Sequence, residues 1–328
     1  MTDSIFRHDS IKPKDFGVSP KRADIQGLRA IAVLAVVAFH AGLPVSGGFT
    51  GVDVFFVISG FVITQMLLNE YERFGTISLQ VFYFRRFKRL TPALALVVSF
   101  TLLVGGLLIT PSLQETSLVT GISALFMTSN VFIALKTGGY FDDAAERNPF
   151  LNTWSLSVEE QFYIFFPALL LMSFSLTKAN DWRKNLPVLS LAVVALLSMI
   201  SLLINEFLSS QLGKVSAALG FYSPITRAWE FVAGAILPIV FRNCQVTRKA
   251  SRLCETLGIA LLLISFFCAT SKTPWPGPTT LLPVIGTVLL LFSGKFSKSR
   301  TFVGTLLNSS SLNYLGNISY SWYLWHLK

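Results

Sequence analysis

The run RAIAVLAVVAFH, residues 29–40, sets a guanidinium and an imidazole eleven residues apart in an otherwise apolar stretch. At about 100° and 1.5 Å per residue that spacing is three turns plus roughly 20°, so Arg29 and His40 share one helix face about 16 Å apart. An ionisable side chain inside a membrane span is costly and marks function by default. A neutral imidazole there can act as a general base or as a nucleophile. Snorkelling by Arg29 and a packing hydrogen bond from His40 explain the same spacing without chemistry.

Four further segments carry polar groups into apolar surroundings. In GVDVFFVISGFVIT, residues 51–64, Asp53 falls in a first helical turn where a carboxylate is favoured, and Ser59-Gly60 allows a ligand or a neighbouring backbone to come close. Arg85, Arg86, Lys88 and Arg89 lie together just before Pro92. Arginine forks bind phosphates bidentately, and the same run also reads as a topological stop signal against anionic headgroups. In NTWSLSVEEQFY, residues 152–163, Ser157 and Glu160 fit a capping box. Trp154 and the adjacent carboxylates Glu159 and Glu160 are more than a cap requires. Arg227 and Glu230 are spaced for an i,i+3 ion pair within a span.

The elements that must position these groups are membrane helices. Of 328 residues, 52% are hydrophobic and 13% charged, with a mean hydropathy of +0.60, outside the balance of a soluble domain. Crossing a hydrocarbon core takes roughly 20 apolar residues per helix. Apolar runs occur near 25–43, 51–70, 91–110, 117–135, 158–176, 186–204, 224–241, 253–270 and 279–293, with a last one beginning at Leu312. This predicts an all-α polytopic bundle of about nine to ten transmembrane helices. Cys244, Cys254 and Cys268 have no metal-ligand spacing and predict neither a metal site nor a disulfide.

The net charge of +10 sits mostly in connectors, so topology explains it and nucleic acid is not implied. Basic residues in the tail (Lys12, Lys14, Lys21, Arg22), at Arg85–Arg89, at Lys178, Arg183 and Lys184, at Arg242, Arg248, Lys249 and Arg252, and at Lys295, Lys298 and Arg300 all fall on one, cytoplasmic side. Residues 1–23 then form a cytoplasmic tail without a signal-peptide cleavage site, and 24–328 form the membrane domain. The alternation works only if 117–135, rich in Ser, Thr and Asn, makes no net crossing, which predicts a re-entrant or outer-face helix. The last span stops early, which predicts a domain cut short within its final helices.

The arginine–ten residues–histidine pattern Arg29 to His40, GVDVFFVISGFVIT, Arg86 and Arg89 before LTP, NTWSLSVEEQFY, RAWEFVAG and LGNISYSWYLWH occur in this order across residues 24–326. The ordered set resembles the acyltransferase-3 family of bacterial integral-membrane acyltransferases, which modify cell-surface carbohydrates. The resemblance implies a multi-pass protein of the bacterial inner membrane, with both ends of a ten-helix core cytoplasmic. It implies transfer of an acyl group, usually acetyl, from cytoplasmic acyl-CoA (a co-substrate, with no bound cofactor) to a hydroxyl of a carbohydrate or glycolipid acceptor.

His40 is the catalytic residue the resemblance implies, and Arg29, Arg86 and Arg89, with neighbouring Arg85, fall at the CoA end. Glu159 or Glu160 is expected to orient the imidazole or hold the sugar, with Asp53, Ser59, Trp154, Arg227 and Glu230 in support. His40 acting as base on the acceptor hydroxyl, or carrying the acyl group itself, are both open. The family's end pattern commonly continues WHWP where this chain reads WHLK, and some members carry a fused esterase-like domain. A transporter or flippase using His40, Arg227 and Glu230 is the rival reading, and an inactive remnant is a third.

Overall fold

A computed structural model of the chain describes residues 22–108, 110–137, 140–177, 186–212, 220–241, 244–296 and 301–326. The basic residues Lys12, Lys14, Lys21, Lys178, Arg183, Lys184, Arg242, Lys298 and Arg300 lie outside them, as does most of the N-terminal tail. Among the described residues every regular element is helical. In order these are α1 (Ala23–His40), α2 (Gly51–Phe74), α3 (Leu79–Leu108), α4 (Pro111–Leu125), α5 (Ser129–Thr137), α6 (Asp143–Glu146) and α7 (Thr153–Thr177). They are followed by α8 (Leu186–Leu212), α9 (Pro224–Val240), α10 (Arg248–Cys268), α11 (Leu281–Phe296), α12 (Phe302–Leu307) and α13 (Ser310–Trp325).

Among the described residues five segments are long and apolar enough to cross a membrane: α1, Gly48–Phe74, α3, Pro187–Ile204 of α8, and α10. Cross-helix bonds fix how the longer helices alternate. At one end Arg22 Nη2 donates to Leu291 O (2.9 Å), Tyr71 Oη to Phe174 O (3.2 Å) and Ser251 Oγ to Ser293 O (3.4 Å). At the other end Gly47 N donates to Phe266 O (2.8 Å) and Asn152 Nδ2 to Tyr323 O (2.7 Å). Helices α1, α10 and α13 therefore run one way and α2, α7 and α11 the other; the short step from Phe74 to Leu79 and the contact of Ser173 with Ser190 (3.0 Å) put α3 and α8 with the first set, and the bond from Arg227 to Asp53 (2.7 Å) puts α9 with the second. Arg22 and the first residues of α3 and α10 share an end, as expected from their charge.

Segment 117–135 is not one helix. It is split between α4 and α5 at Phe126–Thr128, where Met127 adopts φ 57°, a left-handed conformation that a side chain rarely takes. With 15 and nine residues, each piece falls short of the roughly 20 that a crossing needs. Of the polar residues that set this segment apart, Ser129 and Asn130 hydrogen-bond to α7, while Ser117, Thr120, Ser123 and Thr128 donate to carbonyls of α4. Ser129 Oγ and Ser157 Oγ lie 2.8 Å apart, and the amides of Asn130 and Gln161 bond reciprocally at 3.2 and 2.9 Å. Asn148, just before α7, donates to Thr120 Oγ1 of α4 (2.9 Å).

Two sequence expectations are corrected. Helix α3 begins at Leu79, twelve residues before the apolar run at 91, so Arg85–Arg89 occupy its early turns rather than a connector and Pro92 lies inside it. The charged turns hold because Tyr83 Oη donates to Ile164 O of α7 (2.7 Å) and Arg86 pairs with Glu160. Helix α7 likewise starts at Thr153, so Ser157 is in its second turn and caps nothing. Its hydroxyl accepts from Ser129 N instead (3.2 Å).

The tightest seam joins α2 to α9. A Cβ on Gly60 would overlap the Phe231 carbonyl, and one on Gly234 would overlap the Val57 carbonyl, so the two backbones touch where neither helix has a side chain. Around the seam Phe56 stacks on Phe231 (centroids 4.6 Å) and Phe231 on Phe162 (4.3 Å). Gly60→Val or Gly234→Val is expected to lower stability by at least about 1–3 kcal/mol through overpacking. A depressed thermal midpoint in detergent, with Gly→Ala milder than Gly→Val, is the result that checks it.

Candidate functional site

Helix α1 ends at His40, leaving the imidazole half-buried at the rim of the bundle. Its Nδ1 lies 2.9 Å from Val36 O and 3.2 Å from Nε2 of His326, and its Nε2 lies 2.9 Å from Tyr140 Oη. Nδ1 of His326, just past α13, lies 2.6 Å from Tyr323 O. A carbonyl oxygen only accepts, so Val36 O and Tyr323 O each assign a proton to the Nδ1 they face. Both neutral rings are then Nδ1–H tautomers. The hydrogen bonds run in one direction: Tyr140 O–H to His40 Nε2, His40 Nδ1–H to His326 Nε2, and His326 Nδ1–H to Tyr323 O.

Tyr140 is a loop residue between α5 and α6, stacked on Phe221 (4.5 Å) and close to Trp154 (6.1 Å). Burial pushes its hydroxyl well above the usual tyrosine range, helped by the neighbouring Tyr323 and Tyr222, so it stays a neutral donor. A cavity of about 180 Å³ opens over the pair, lined among others by Phe39, His40, Tyr140, Arg147, Asn152 and His326. That is well above the ~10–15 Å³ one water needs.

A second cavity of about 40 Å³ lies toward the other end of α1, lined by Arg29, Ser155, Glu159, Ser319, Tyr320 and Tyr323 among others. Glu159 accepts from Ser59 Oγ (2.7 Å) and Tyr163 Oη (2.6 Å), while Glu160 pairs with Arg86, whose guanidinium also lies 3.7 Å over the Tyr163 ring. Arg29 sits in the field of Arg86, Arg89 and Glu159, and its buried Nε has no hydrogen-bond partner. Arg85, Lys88 and Arg89 are exposed. Tyr323 stands between the two cavities. It lines the second, its hydroxyl lies 2.7 Å from Ser155 Oγ and donates to Asn152 O (3.2 Å), and Asn152 lines the first.

Glu159 and Glu160, expected to orient the imidazole or hold the sugar, lie in the second layer of contacts. The structure brings them to Ser59, Tyr163, Arg86 and the Arg29 cavity, not to the imidazole. They lie seven and eight residues along α7 from Asn152, about 10–12 Å of helical rise from the wall of the His40 cavity. What the sequence reading missed is the shell around His40: Tyr140, Asn152, Tyr323 and His326. His326 was visible as the histidine closing LGNISYSWYLWH, whereas no pattern in the sequence ties Tyr140, one hundred residues away, to His40.

The i,i+3 pair of α9 is formed, with Arg227 Nη1 donating to Glu230 Oε1 (2.9 Å), and the same nitrogen donates to Asp53 Oδ1 of α2 (2.7 Å). All three side chains are buried. Arg227 Nε donates to Phe221 O (3.2 Å), and the guanidinium lies over Phe221 (4.8 Å) and Trp154 (5.7 Å). Neither Arg227 nor Glu230 lines either of these two cavities, and their ion pairs join α9 to α2. Among the described residues no group of three or more His, Cys, Asp or Glu can hold a metal ion.

An all-helical polytopic bundle with a histidine pair under one open cavity and Arg29 with Glu159 at another defines a membrane protein with ionisable side chains lining its cavities. The family model described as an acyltransferase domain matches residues 22–327. The chain belongs to the acyltransferase-3 family. It is similar to the peptidoglycan O-acetyltransferase OatA of Listeria monocytogenes, 30% identical over 312 residues, 92% of this chain and 48% of that protein. It is 33% identical to the putative peptidoglycan O-acetyltransferase YrhL of Bacillus subtilis over 311 residues, 92% of this chain and 47% of the relative. A putative O-acetyltransferase of Staphylococcus aureus (strain COL) is 32% identical over 316 residues, again 92% of this chain, and 49% of its own length. The chain thus spans about half the length of the curated relatives it matches. No solved structure matches it.

Arg227→Met should strand two carboxylates in the bundle, at a cost of about 3–5 kcal/mol. The expected result is loss of the monodisperse detergent-solubilised protein, with recovery when Asp53→Asn and Glu230→Gln are added. A singly substituted Arg227→Met protein of normal thermal stability would show that the ion cluster does not hold α2 to α9.

Proposed function

We propose that the chain is an integral-membrane O-acyltransferase domain that moves an acyl group, acetyl by preference, from acyl-CoA to a hydroxyl of a cell-envelope polysaccharide, peptidoglycan being the acceptor class its relatives' names suggest. The observation that carries this reading is His40. It lies under a cavity with its Nδ1 proton directed at Val36 O and His326 and its Nε2 lone pair directed at Tyr140.

The chemistry assigned to it is direct transfer. Nε2 takes the proton of the acceptor hydroxyl as the oxygen attacks the thioester carbonyl. The carbon–sulfur bond breaks, and the departing CoA thiolate takes that proton back from the imidazolium. Arg29, with its unpartnered Nε, faces the arm of the donor, and the exposed Arg85, Lys88 and Arg89 face its phosphates. Arg86 is already committed to Glu160 and holds the cavity wall. The donor enters from the basic, cytoplasmic end of the bundle and the acceptor from the end where α1 finishes, in the bacterial inner membrane.

His40→Ala is expected to lower acyl transfer by 10²–10⁴-fold, the worth of a positioned base, with membrane insertion unchanged. Acceptor O-acetylation followed by mass spectrometry in vesicles loaded with acetyl-CoA is the measurement, and normal turnover would remove His40 from the mechanism. Arg85→Ala with Arg89→Ala should raise KM for acetyl-CoA several-fold at low salt, less at high salt, with little change in kcat. An unchanged KM would leave those arginines a topological role alone.

A further inference from the structure

The second histidine has no part in the reaction written above, although it lies against the first. The rings of His40 and His326 are 4.9 Å apart between centroids, and the Nδ1–Nε2 separation is 3.2 Å. The two come from opposite ends of the described chain, where α13 packs along α1 with Gly316 against the Gln26 backbone. Tyr323 O, 2.6 Å from His326 Nδ1, places that ring's proton on Nδ1 and leaves Nε2 as an acceptor aimed at His40.

We propose that His326 is the positioning residue for His40, accepting together with Val36 O the Nδ1–H of the catalytic imidazole, and so holding the tautomer whose Nε2 accepts, from Tyr140 at rest and from the acceptor hydroxyl in the reaction, and steadying the ring when it becomes cationic. The inference rests on the proposed acyl-transfer reading and adds a residue to it. When Nε2 takes the acceptor's proton, His40 carries one positive charge and its Nδ1–H bond to His326 becomes charge-assisted. As the acceptor from the base, a neutral imidazole takes a role that a carboxylate holds in many base–orienter pairs. The groups facing the pair are Tyr140 from the α5–α6 loop, Tyr323 on α13, and Glu146 and Arg147 at the cavity wall.

His326→Ala and His326→Gln separate a positioning role from mere filling of space. The Gln amide can accept from His40 and donate to Tyr323 O but cannot take up a proton. In His326→Ala, kcat should fall roughly 10- to 100-fold, the worth of a hydrogen bond to a charged group, with KM for acetyl-CoA within about twofold. Because the lost acceptor had favoured the imidazolium, the acidic limb of kcat/KM should also move to lower pH. His326→Gln should recover most of kcat. A normal kcat in His326→Ala, or a loss that Gln does not rescue and that leaves the pH limb in place, would overturn the proposal.

A second readout needs no turnover. The chain has three histidines, so ¹⁵N-histidine spectra of bilayer-reconstituted protein, with His8→Gln removing the third, report both tautomers. Wild type should show two Nδ1–H rings, with the His40 Nδ1 signal displaced in His326→Gln. A His40 ring protonated at Nε2 in wild type would overturn the proposal. Failure of the acyl-transfer reading shows differently, as wild-type protein that consumes no acetyl-CoA with acceptor present.

Discussion

A guanidinium held between two carboxylates in a water-poor interior constrains the rest of this bundle. Arg227 of α9 donates to Glu230 on its own helix and to Asp53 on α2, so the helices that meet at Gly60 and Gly234 are also fixed in rotation and register. Buried charges are tolerable only when paired with good geometry. Here the pairing adds the Phe221 carbonyl and the faces of Phe221 and Trp154. Phe221 stacks in turn on Tyr140 and Trp154 meets it edge-on, and Tyr140 reaches His40. A structural ion cluster in one layer thus sets the position of the site in the next.

The site itself divides along α1. One end carries Arg29 with an unfilled donor beside Glu159, Ser59, Tyr163 and the Arg86–Glu160 pair, and the other carries His40 and His326 beneath the larger cavity. Between them Tyr323 is tied by its hydroxyl to Ser155 and Asn152, and by its carbonyl to Asn152 and His326. One residue therefore supplies both the wall between the cavities and the acceptor that sets the second histidine's tautomer. In the proposed reaction the thioester must reach Nε2 past that wall, which makes the order of Tyr323 and its neighbours part of the chemistry.

The polar segment between α3 and α7 shows how composition and topology meet. Its Ser, Thr and Asn side chains make it a poor crossing helix, and the chain breaks at Met127 into two pieces too short to cross. Of these residues, Ser129 and Asn130 bond to Ser157 and Gln161 on α7. Ser157 and Glu160 look like a cap in the sequence because the spacing is right. The helix starts a turn earlier, where Thr153 donates locally to Phe150 O and also to Ser129 Oγ of α5, a partner that a local pattern does not contain.

The sequence by itself determined that this is an all-helical membrane protein, that Arg29 and His40 lie on one helix face, and that Arg227 and Glu230 pair. Each follows from hydropathy, charge or a helical period acting within about one helix length. Only the tertiary structure decided that Asp53 completes the ion cluster, that Glu159 and Glu160 belong with Ser59, Tyr163 and Arg86 rather than with the imidazole, and that Tyr140 and His326 flank His40. The pairings between different elements span 74 to 286 residues. The direction of a side chain across a bundle depends on the rotation of both helices, which the buried ion cluster and the glycine seam set and no local spacing encodes.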